Sequence, residues 1–243
     1  KDFEVIIADD GSTSQTKDLI QAMQTQLDFP IKHIWQADAG FRKTKILNKA
    51  ILASEASYLV FTDGDCIPRA DFLETHYKLR KPGHFLSGGL SRLPMQLSQA
   101  ITKEDIQQQR CFDLDWLKAR GLESSFLKNL KLTKSTSLAA FLNKVTPTKA
   151  SWNGHNASTW RKNILSVNGF DERMKYGGED REFGERLVNA GIKPIQIRFS
   201  AICVHLDHSR GYDTTESIAF NKNLRKHTKE HKVVRTPYGI EKM

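Results

Sequence analysis

Short apolar runs alternate with amphipathic stretches along the first part of the chain. The runs 3–8, 31–35 and 58–61 are rich in strand-forming residues. Between them, apolar residues recur at helical spacing over 19–27 and 44–53. Strands that alternate with helices at this interval predict an α/β fold with a mainly parallel sheet flanked by helices.

The pattern changes after residue 92. Residues 93–147 are mostly helical in propensity, and we expect them to form a helical insertion in the α/β frame. The α/β pattern returns over 148–215, and a basic helix or tail follows over 216–243. The predicted organisation is therefore one α/β domain built from 1–92 and 148–215, interrupted by the insertion.

The composition is that of a globular protein with an anionic partner. Hydrophobic residues make up 39% of the 243 residues, and no apolar run approaches the roughly 18 residues that cross a membrane. The chain opens without a charged and then apolar leader, and its three cysteines follow no disulfide or zinc spacing, so we expect a cytoplasmic protein. The net charge of +9 suits a nucleotide, a nucleic acid or an anionic membrane equally well.

Basic residues concentrate in two places. Between Leu117 and Lys149 seven basic residues stand against the single acid Glu123, and between Lys222 and Lys242 seven stand against two acids. One interpretation is a basic amphipathic surface that rests on an anionic membrane or holds an anionic acceptor. The alternative is a solvated helical face whose apolar side packs on the core, and the sequence supports both equally.

Acidic residues follow two of the predicted strands at the point where each strand ends. Asp9 and Asp10 come after the first strand, and Asp63 and Asp65 come after a later one. The carboxyl ends of parallel strands meet at one edge of a sheet, where α/β proteins bind ligands. Two carboxylates separated only by Gly64 can both reach a divalent cation and the phosphate oxygens that it carries. An ordinary turn is the alternative interpretation, because Asp and Gly are common turn residues.

Basic residues lie between the two acidic loops. A turn at Gly40 leads into Arg42, Lys43 and Lys45 at the start of a predicted helix. Cations and helix N-terminal amides favour phosphate groups. Acids that can hold a metal and cations that can hold a diphosphate together predict a nucleotide site.

A glycine-rich acidic loop occurs later in the chain. Gly177 and Gly178 precede Glu179 and Asp180 at the start of a predicted helix. The glycines allow the loop to close over a substrate, and a carboxylate there can take a proton from an attacking hydroxyl group. Capping of the helix by Asp180 is the alternative.

Two histidines, His205 and His208, follow a predicted strand three residues apart. A lone histidine is usually structural. Beside a pair of aspartates, however, a histidine can complete a metal shell.

These motifs together resemble the family 2 glycosyltransferases of the GT-A fold. The resemblance rests on five segments that occur in the family's order and approximate spacing: Asp9-Asp10-Gly11-Ser12-Thr13, 40–48, Asp63-Gly64-Asp65, 168–172 and Gly178-Glu179-Asp180. The stretch from Trp152 to His208 is also similar to the carboxyl-terminal region of the galactosyltransferase type. A complete member starts one strand and one helix earlier, so we expect that this first unit is missing here.

The resemblance implies a donor side and a metal site. Residues 1–92 would be the half that binds the nucleotide sugar, with Asp9 and Asp10 on the base or ribose. The implied metal ion is Mn²⁺ or Mg²⁺ on the diphosphate, and His208 is the alternative to His205 as its histidine ligand. The full implied set is Asp9, Asp10, Arg42, Lys45, Asn48, Asp63 and Gly64 for the donor, and Asp63, Asp65 and His205 for the metal.

The resemblance also implies a catalytic and acceptor side within 148–215. Asp180 would be the general base that deprotonates the acceptor hydroxyl, and Glu179 would place the acceptor. Trp152, Asn153, His155 and Gly178 would line the acceptor, although a buried tryptophan is equally often part of the core.

The prediction is therefore a metal-dependent inverting glycosyltransferase that moves a sugar from a UDP-sugar to a hydroxyl group of a glycan or lipid-linked acceptor. The basic segments would rest it on the inner face of the membrane. A sugar-1-phosphate nucleotidyltransferase is an alternative, as is a sugar-binding relative without turnover. A nucleic-acid-binding module is supported only by the charge of +9, so nucleic acid is not the expected partner.

Overall fold

The secondary structure alternates between short strands and helices. The computed structural model of the protein describes residues 3–123, 125–209 and 214–242, without the side chains of Phe126 and Leu127. The strands described are β1 (Val5–Asp10), β2 (Ile31–Gln36), β3 (Tyr58–Phe61), β4 (Cys66–Pro68), β5 (His84–Ser87), β6 (Gly89–Arg92), β7 (Ala157–Trp160), β8 (Lys193–Gln196) and β9 (Ile202–His205). The α-helices described are α1 (Ser14–Gln24), α2 (Lys43–Ala53), α3 (Phe72–Leu79), α4 (Met95–Ala100), α5 (Lys103–Gln107), α6 (Leu114–Lys118), α7 (Phe126–Asn129), α8 (Thr136–Val145), α9 (Arg161–Ser166), α10 (Glu179–Asn189) and α11 (Thr215–Glu230).

The chain divides into two compact units. Unit 1 comprises 1–59, 160–191 and 211–243, and unit 2 comprises 60–159 and 192–210. The predicted insertion 93–147 therefore lies wholly within unit 2. The part of it that the structure describes consists of short helices and connecting turns.

In unit 1, β1 and β2 form a parallel pair. Val5 lies opposite Ile31 and Asp10 opposite Gln36, so both strands end at the same edge. Helix α2 packs on both strands, and it buries Ile46, which is 1% exposed. The alternation of apolar runs and helical spacing therefore predicted this βαβ arrangement correctly.

A buried ion pair anchors α10 in unit 1. Glu182 and Arg186 are 1% and 0% exposed, and Arg186 Nε donates to both carboxylate oxygens of Glu182 at 2.9 and 3.0 Å. The other two guanidinium nitrogens donate to the carbonyl oxygens of Val167 and Gly169. Thr228 of α11 donates to Glu182. One arginine thus joins α10 to the preceding turn, while its carboxylate partner joins α10 to α11.

Unit 2 contains mixed sheets. The four-stranded sheet has the order β3-β7-β5-β8, and a three-stranded sheet has the order β4-β9-β6; the boundaries between the units fall inside β3 and β7. Strand β5 runs parallel to β8 and antiparallel to β7. Strand β9 runs parallel to β6 and antiparallel to β4. The α/β class is confirmed, and antiparallel pairs accompany the predicted parallel ones.

The insertion packs its apolar side on the three-stranded sheet. Phe112, Leu117 and Leu132 belong to one buried cluster with Ile202 and Val204 of β9. Burial of each such side chain contributes about 2 kcal/mol. This packing agrees with the core interpretation of these apolar positions.

One predicted strand is interrupted at Gly88, whose backbone lies close to the Asn156 side chain. The sequence predicts a single strand over 85–90, but β5 ends at Ser87 and β6 begins at Gly89. A Cβ atom on Gly88 would lie 1.8 Å from Asn156 Oδ1, so only glycine fits there. Asn156 donates to the carbonyl oxygens of Gly89 and Ala201 and accepts at Oδ1 from His76 Nε2 at 2.9 Å.

The buried His76 predicts a pH dependence of stability. Its side chain is 0% exposed and its Nδ1 lies 2.7 Å from Ser158 Oγ. Burial lowers the pKa of His76 from 6.5 to about 4, against the opposing effect of Asn156. Between these values the unfolded chain binds more protons, so the free energy of unfolding should fall by about 3 kcal/mol as the pH drops from 6.5 to 4.

Urea unfolding at several pH values tests this expectation. The free energy of unfolding should lose much of its slope between pH 6.5 and 4 in the variant His76→Gln, because glutamine does not titrate. His231→Gln, which changes an exposed histidine, should keep the slope. An unchanged slope in His76→Gln would show that other groups cause the dependence.

Candidate functional site

Three potential metal ligands converge in unit 2. Asp65 Oδ2 lies 3.2 Å from His205 Nε2 and 3.0 Å from His208 Nε2. Asp65 directly precedes β4, and the antiparallel pairing of β4 with β9 places Cys66 opposite His205. The backbone N–H of Leu206 donates to the carbonyl oxygen of Asp65 at 2.9 Å. The pairing of β4 with β9 therefore brings Asp65 close to the two histidines.

The group of potential metal ligands differs from the predicted set in two residues. Both histidines belong to it, and their rings stack at 5.8 Å between centroids. Among the residues that the structure describes, the group comprises Asp65, His205 and His208 without Asp63. The Cys66 N–H donates to the Asp63 carbonyl oxygen at 3.1 Å, which closes a turn between the two aspartates.

The donor atoms suit a divalent transition ion. All three lie within 4.8 Å of one another, and ligands of an octahedral ion at about 2.1 Å are about 3 Å apart when adjacent. The same distances are also compatible with hydrogen bonds between Asp65 and the imidazoles. Imidazole nitrogen with carboxylate oxygen favours Mn²⁺ over Mg²⁺, which prefers oxygen ligands alone. A Cβ atom added at Gly64 would meet no heavy atom within 4 Å, so space remains beside the turn.

Asp9 is held in the interior of unit 1. Its side chain accepts hydrogen bonds from the Ser12 N–H at 2.8 Å and lies 2.8 Å from His33 Nε2. Burial by itself raises the pKa of Asp9, but the contacts with Ser12 and His33 outweigh burial and lower the pKa. Asp9 is therefore an anion that orders the loop after β1.

Asp10 links the two parallel strands to α2. Its Oδ1 accepts from Gln36 Nε2 at 2.6 Å, and its Oδ2 accepts from the Arg42 N–H at 2.6 Å. Gln36 lies directly opposite Asp10 in the strand register. The Arg42 guanidinium donates to the Ala37 carbonyl oxygen. Asp10 thus positions the loop that carries the predicted phosphate-binding cations, of which Lys45 is half-buried on α2.

Asn48, predicted to lie beside the donor, is buried against the turn 168–172. It is 2% exposed, and it donates to the Phe170 carbonyl oxygen while accepting from the Phe170 N–H at 2.8 Å. Asn48 Nδ2 also donates to Glu172 Oε1. These three hydrogen bonds tie α2 to the turn 168–172.

Two glycines shape the loop before α10. Gly177 and Gly178 have φ values of 108° and 96°, which side-chain-bearing residues rarely adopt. Gly178 is the N-cap of α10, so Asp180 lies inside the first turn and does not cap the helix. Asn221 of α11 donates to the Gly177 carbonyl oxygen at 3.2 Å and to the two carbonyls before it.

Glu179 and Asp180 have different surroundings. Glu179 is 9% exposed and accepts from the Gly177 N–H at 3.1 Å. Burial, followed by the negative charge of Asp180, raises the pKa of Glu179. Asp180 is half-buried, and its Oδ1 accepts from the Arg181 N–H at 2.6 Å. Asp180 is accordingly the more accessible carboxylate of the two.

The predicted acceptor residues separate into core and surface positions. Trp152 is 1% exposed and packs edge-on against Phe61 and Phe85. Its ring faces are enclosed, so the core interpretation replaces the predicted contact with a sugar. Asn153 and His155 are half-buried; Asn153 donates to Ser87 Oγ at 3.2 Å and accepts from the Asn156 N–H.

Sequence reasoning missed His33 and Gln36. Both lie on β2 and contact the aspartates at the end of β1. The signal available was the parallel pairing of the first two strands, because the register places polar residues of β2 beside those of β1.

A solved structure shows which fold this is. GalNAc-T7, crystallised with UDP, GalNAc and Mn²⁺, aligns over 93% of this chain and 41% of its own, with a TM-score of 0.57 and 11% identity. With parallel and mixed sheets flanked by helices, the chain has the GT-A fold of glycosyltransferases.

Two family models match separate parts of the chain. Residues 1–84 match the model described as glycosyl transferase family 2, and residues 139–209 match the model described as the N-terminal domain of galactosyltransferase. The predicted resemblance to both groups is confirmed. These matches support a transferase of the glycosyltransferase class.

Curated relatives extend beyond this chain. Validoxylamine A glucosyltransferase of Streptomyces hygroscopicus subsp. jinggangensis is 25% identical over 93% of the chain and 54% of its own length. Chondroitin synthase of Escherichia coli is 25% identical over 78% of the chain and 28% of its own length. The chain thus spans about half of one relative and less of the other. Within the described residues, no helix has the length and hydropathy needed to cross a membrane.

Proposed function

We propose that the chain carries the catalytic region of an inverting, metal-dependent glycosyltransferase that moves a sugar from a UDP-sugar to a hydroxyl group of a glycan or glycolipid. The observation that carries this proposal is the convergence of Asp65, His205 and His208 in a GT-A fold. The presence of UDP and Mn²⁺ in the GalNAc-T7 crystal supports the choice of donor and ion. The polysaccharide-synthase relative supports a glycan acceptor.

The proposed roles belong to Asp65, His205, His208 and Asp180. In unit 2, Asp65 and the two histidines would hold the ion, which would supply positive charge for the leaving diphosphate. In unit 1, Asp180 accepts the proton of the acceptor hydroxyl, and the oxygen attacks the anomeric carbon. The bond from that carbon to the diphosphate breaks, UDP leaves, and the configuration inverts. Glu179 orders the loop through Gly177.

The donor nucleotide is proposed to meet Asp9, Asp10, Arg42 and Lys45 in unit 1. Asp9 fixes the loop after β1 and Asp10 fixes the backbone of Arg42, so both aspartates act partly by positioning. In unit 2, Asp63 and Gly64 are proposed to contact the sugar side of the donor. An anionic membrane surface is a further proposed partner.

Calorimetric titration with UDP tests the metal assignment. UDP should bind with Mn²⁺ and at least tenfold more weakly with EDTA, because the diphosphate would lose its counter-ion. Asp65→Asn and His208→Gln should each remove most of this metal dependence. Asp63→Asn should keep it, since Asp63 stands outside the group.

His231→Gln is the matched control, because it changes a histidine in unit 1 that is exposed. It should bind UDP as the unchanged protein does. Equal UDP affinity with Mn²⁺ and with EDTA would contradict the metal-dependent donor site.

A further inference from the structure

Helix α8 carries three exposed apolar side chains on one face. Leu138, Phe141 and Val145 are 38%, 60% and 52% exposed. At about 100° per residue, their spacing places them within roughly 60° of one another around the helix. Single exposed apolar residues are ordinary, but three in one stripe on a ten-residue helix form a contiguous patch.

The opposite face of α8 is fixed to the rest of unit 2. Ala139 is 3% exposed. Asn143 donates to Ser200 Oγ at 2.8 Å and accepts from the Phe199 N–H at 3.0 Å, and Gln196 donates to the Asn143 carbonyl oxygen at 2.9 Å. The helix could turn its apolar stripe inward only by breaking these hydrogen bonds. The stripe is therefore held outward.

The chain around this stripe is strongly basic. From Ser125 to Lys149 the sequence contains five lysines and no acidic residue. Lys144 is exposed on α8 itself, and Lys134 precedes the helix, where it pairs with Asp113 at 2.9 Å. An apolar stripe bordered by lysines is the pattern of a helix that lies in a membrane interface.

A second group of cations lies beside the residues that anchor α8. Lys131 Nζ donates to the Leu90 carbonyl oxygen at 3.1 Å. Burial, and then the positive charges of Arg198, Lys128 and Arg92, hold the pKa of Lys131 below its usual value. Arg198 directly precedes Phe199, which binds Asn143 of α8. Like charges gathered in this way are stabilised by an anionic surface.

We propose that α8 docks on an anionic lipid bilayer, with Leu138, Phe141 and Val145 entering the interface and the neighbouring lysines lying against acidic headgroups. Two copies meeting through this face would bring lysines against lysines, so self-association is disfavoured. This inference deepens the proposed function and rests on it, because a glycosyltransferase would meet a lipid-linked acceptor at the bilayer. Attachment itself requires neither donor nor turnover, so the two proposals can fail separately.

Vesicle flotation tests the proposal. The protein should float with vesicles of two parts phosphatidylcholine and one part phosphatidylglycerol, and much less with phosphatidylcholine alone. Phe141→Ala should weaken attachment about tenfold, because an aromatic side chain no longer enters the interface. Lys144→Gln should weaken it about fivefold and make the remainder less sensitive to salt.

Tyr77→Ala is the control, because Tyr77 is an aromatic residue of unit 2 that is 58% exposed on α3. It should attach within twofold of the unchanged protein, and circular dichroism should show that all variants are folded. Equal loss in Tyr77→Ala and Phe141→Ala, equal attachment to neutral vesicles, or no attachment would overturn the proposal. A dimer in solution that Phe141→Ala dissociates would also overturn it, since the stripe would then be an interface between copies.

Discussion

Asp180→Asn is expected to lower kcat by a factor of about 10² to 10⁴, because asparagine keeps the shape of the side chain but cannot accept the proton of the acceptor hydroxyl. UDP binding with Mn²⁺ should stay close to that of the unchanged protein, since the proposed base does not hold the diphosphate. UDP release in the presence of a UDP-sugar and an acceptor measures kcat, and calorimetry measures donor binding.

Two comparisons make this result specific. Asp18→Asn changes an exposed aspartate on α1 and should leave kcat unaltered. Glu179→Gln should reduce kcat less than Asp180→Asn, because Glu179 is buried and bonded to the loop backbone. Full activity of Asp180→Asn would exclude it as the base. A larger loss in Glu179→Gln would move that role to Glu179, whose pKa is raised by burial and by the negative charge of Asp180.

Arg186→Met is expected to lower the free energy of unfolding by about 3–5 kcal/mol. The substitution leaves the Glu182 carboxylate buried without its cation and deprives the carbonyl oxygens of Val167 and Gly169 of their donors. Unfolding in urea, followed by circular dichroism, measures the change. Loss of this pair should also loosen the turn that leads towards Glu179 and Asp180.

Arg181→Met is the matched control, since it changes an exposed arginine on the same helix, and it should alter stability by less than about 0.5 kcal/mol. The double variant Glu182→Leu with Arg186→Met should recover part of the loss, because no unpaired charge remains buried. A loss below about 1 kcal/mol in Arg186→Met alone would mean that water or rearrangement compensates for the missing cation.

The sequence predicted the fold class and the chain positions of the motifs well. The βαβ arrangement up to α2 follows from apolar runs and from the helical spacing of apolar residues. Both patterns involve residues that are close together in the sequence. The glycine-rich loop before α10 also follows from local chemistry, because Gly177 and Gly178 adopt positive φ values that the sequence makes accessible. The alternative that Asp180 caps its helix is wrong, since the cap lies two residues earlier at Gly178.

Individual side-chain roles were less predictable. Asn48 and Trp152 lie within motifs that suggest substrate contacts, yet both are buried. Asn48 bonds to Phe170, which is 122 residues away in sequence, and Trp152 packs against aromatic rings of β3 and β5. A motif indicates which residues lie near a functional site, but packing decides whether their polar atoms or ring faces remain accessible to a substrate.

Local periodicity, turn chemistry and charge thus determined the α/β class, the acidic loops, the basic insertion and the candidate residues. Only the tertiary structure decided that Asp65 meets both His205 and His208. His208 contacts Asp65 across 143 residues of sequence, because β4 pairs with β9 antiparallel. Spacing along a chain does not specify such a pairing, since strand partners are chosen by the burial of the sheet as a whole.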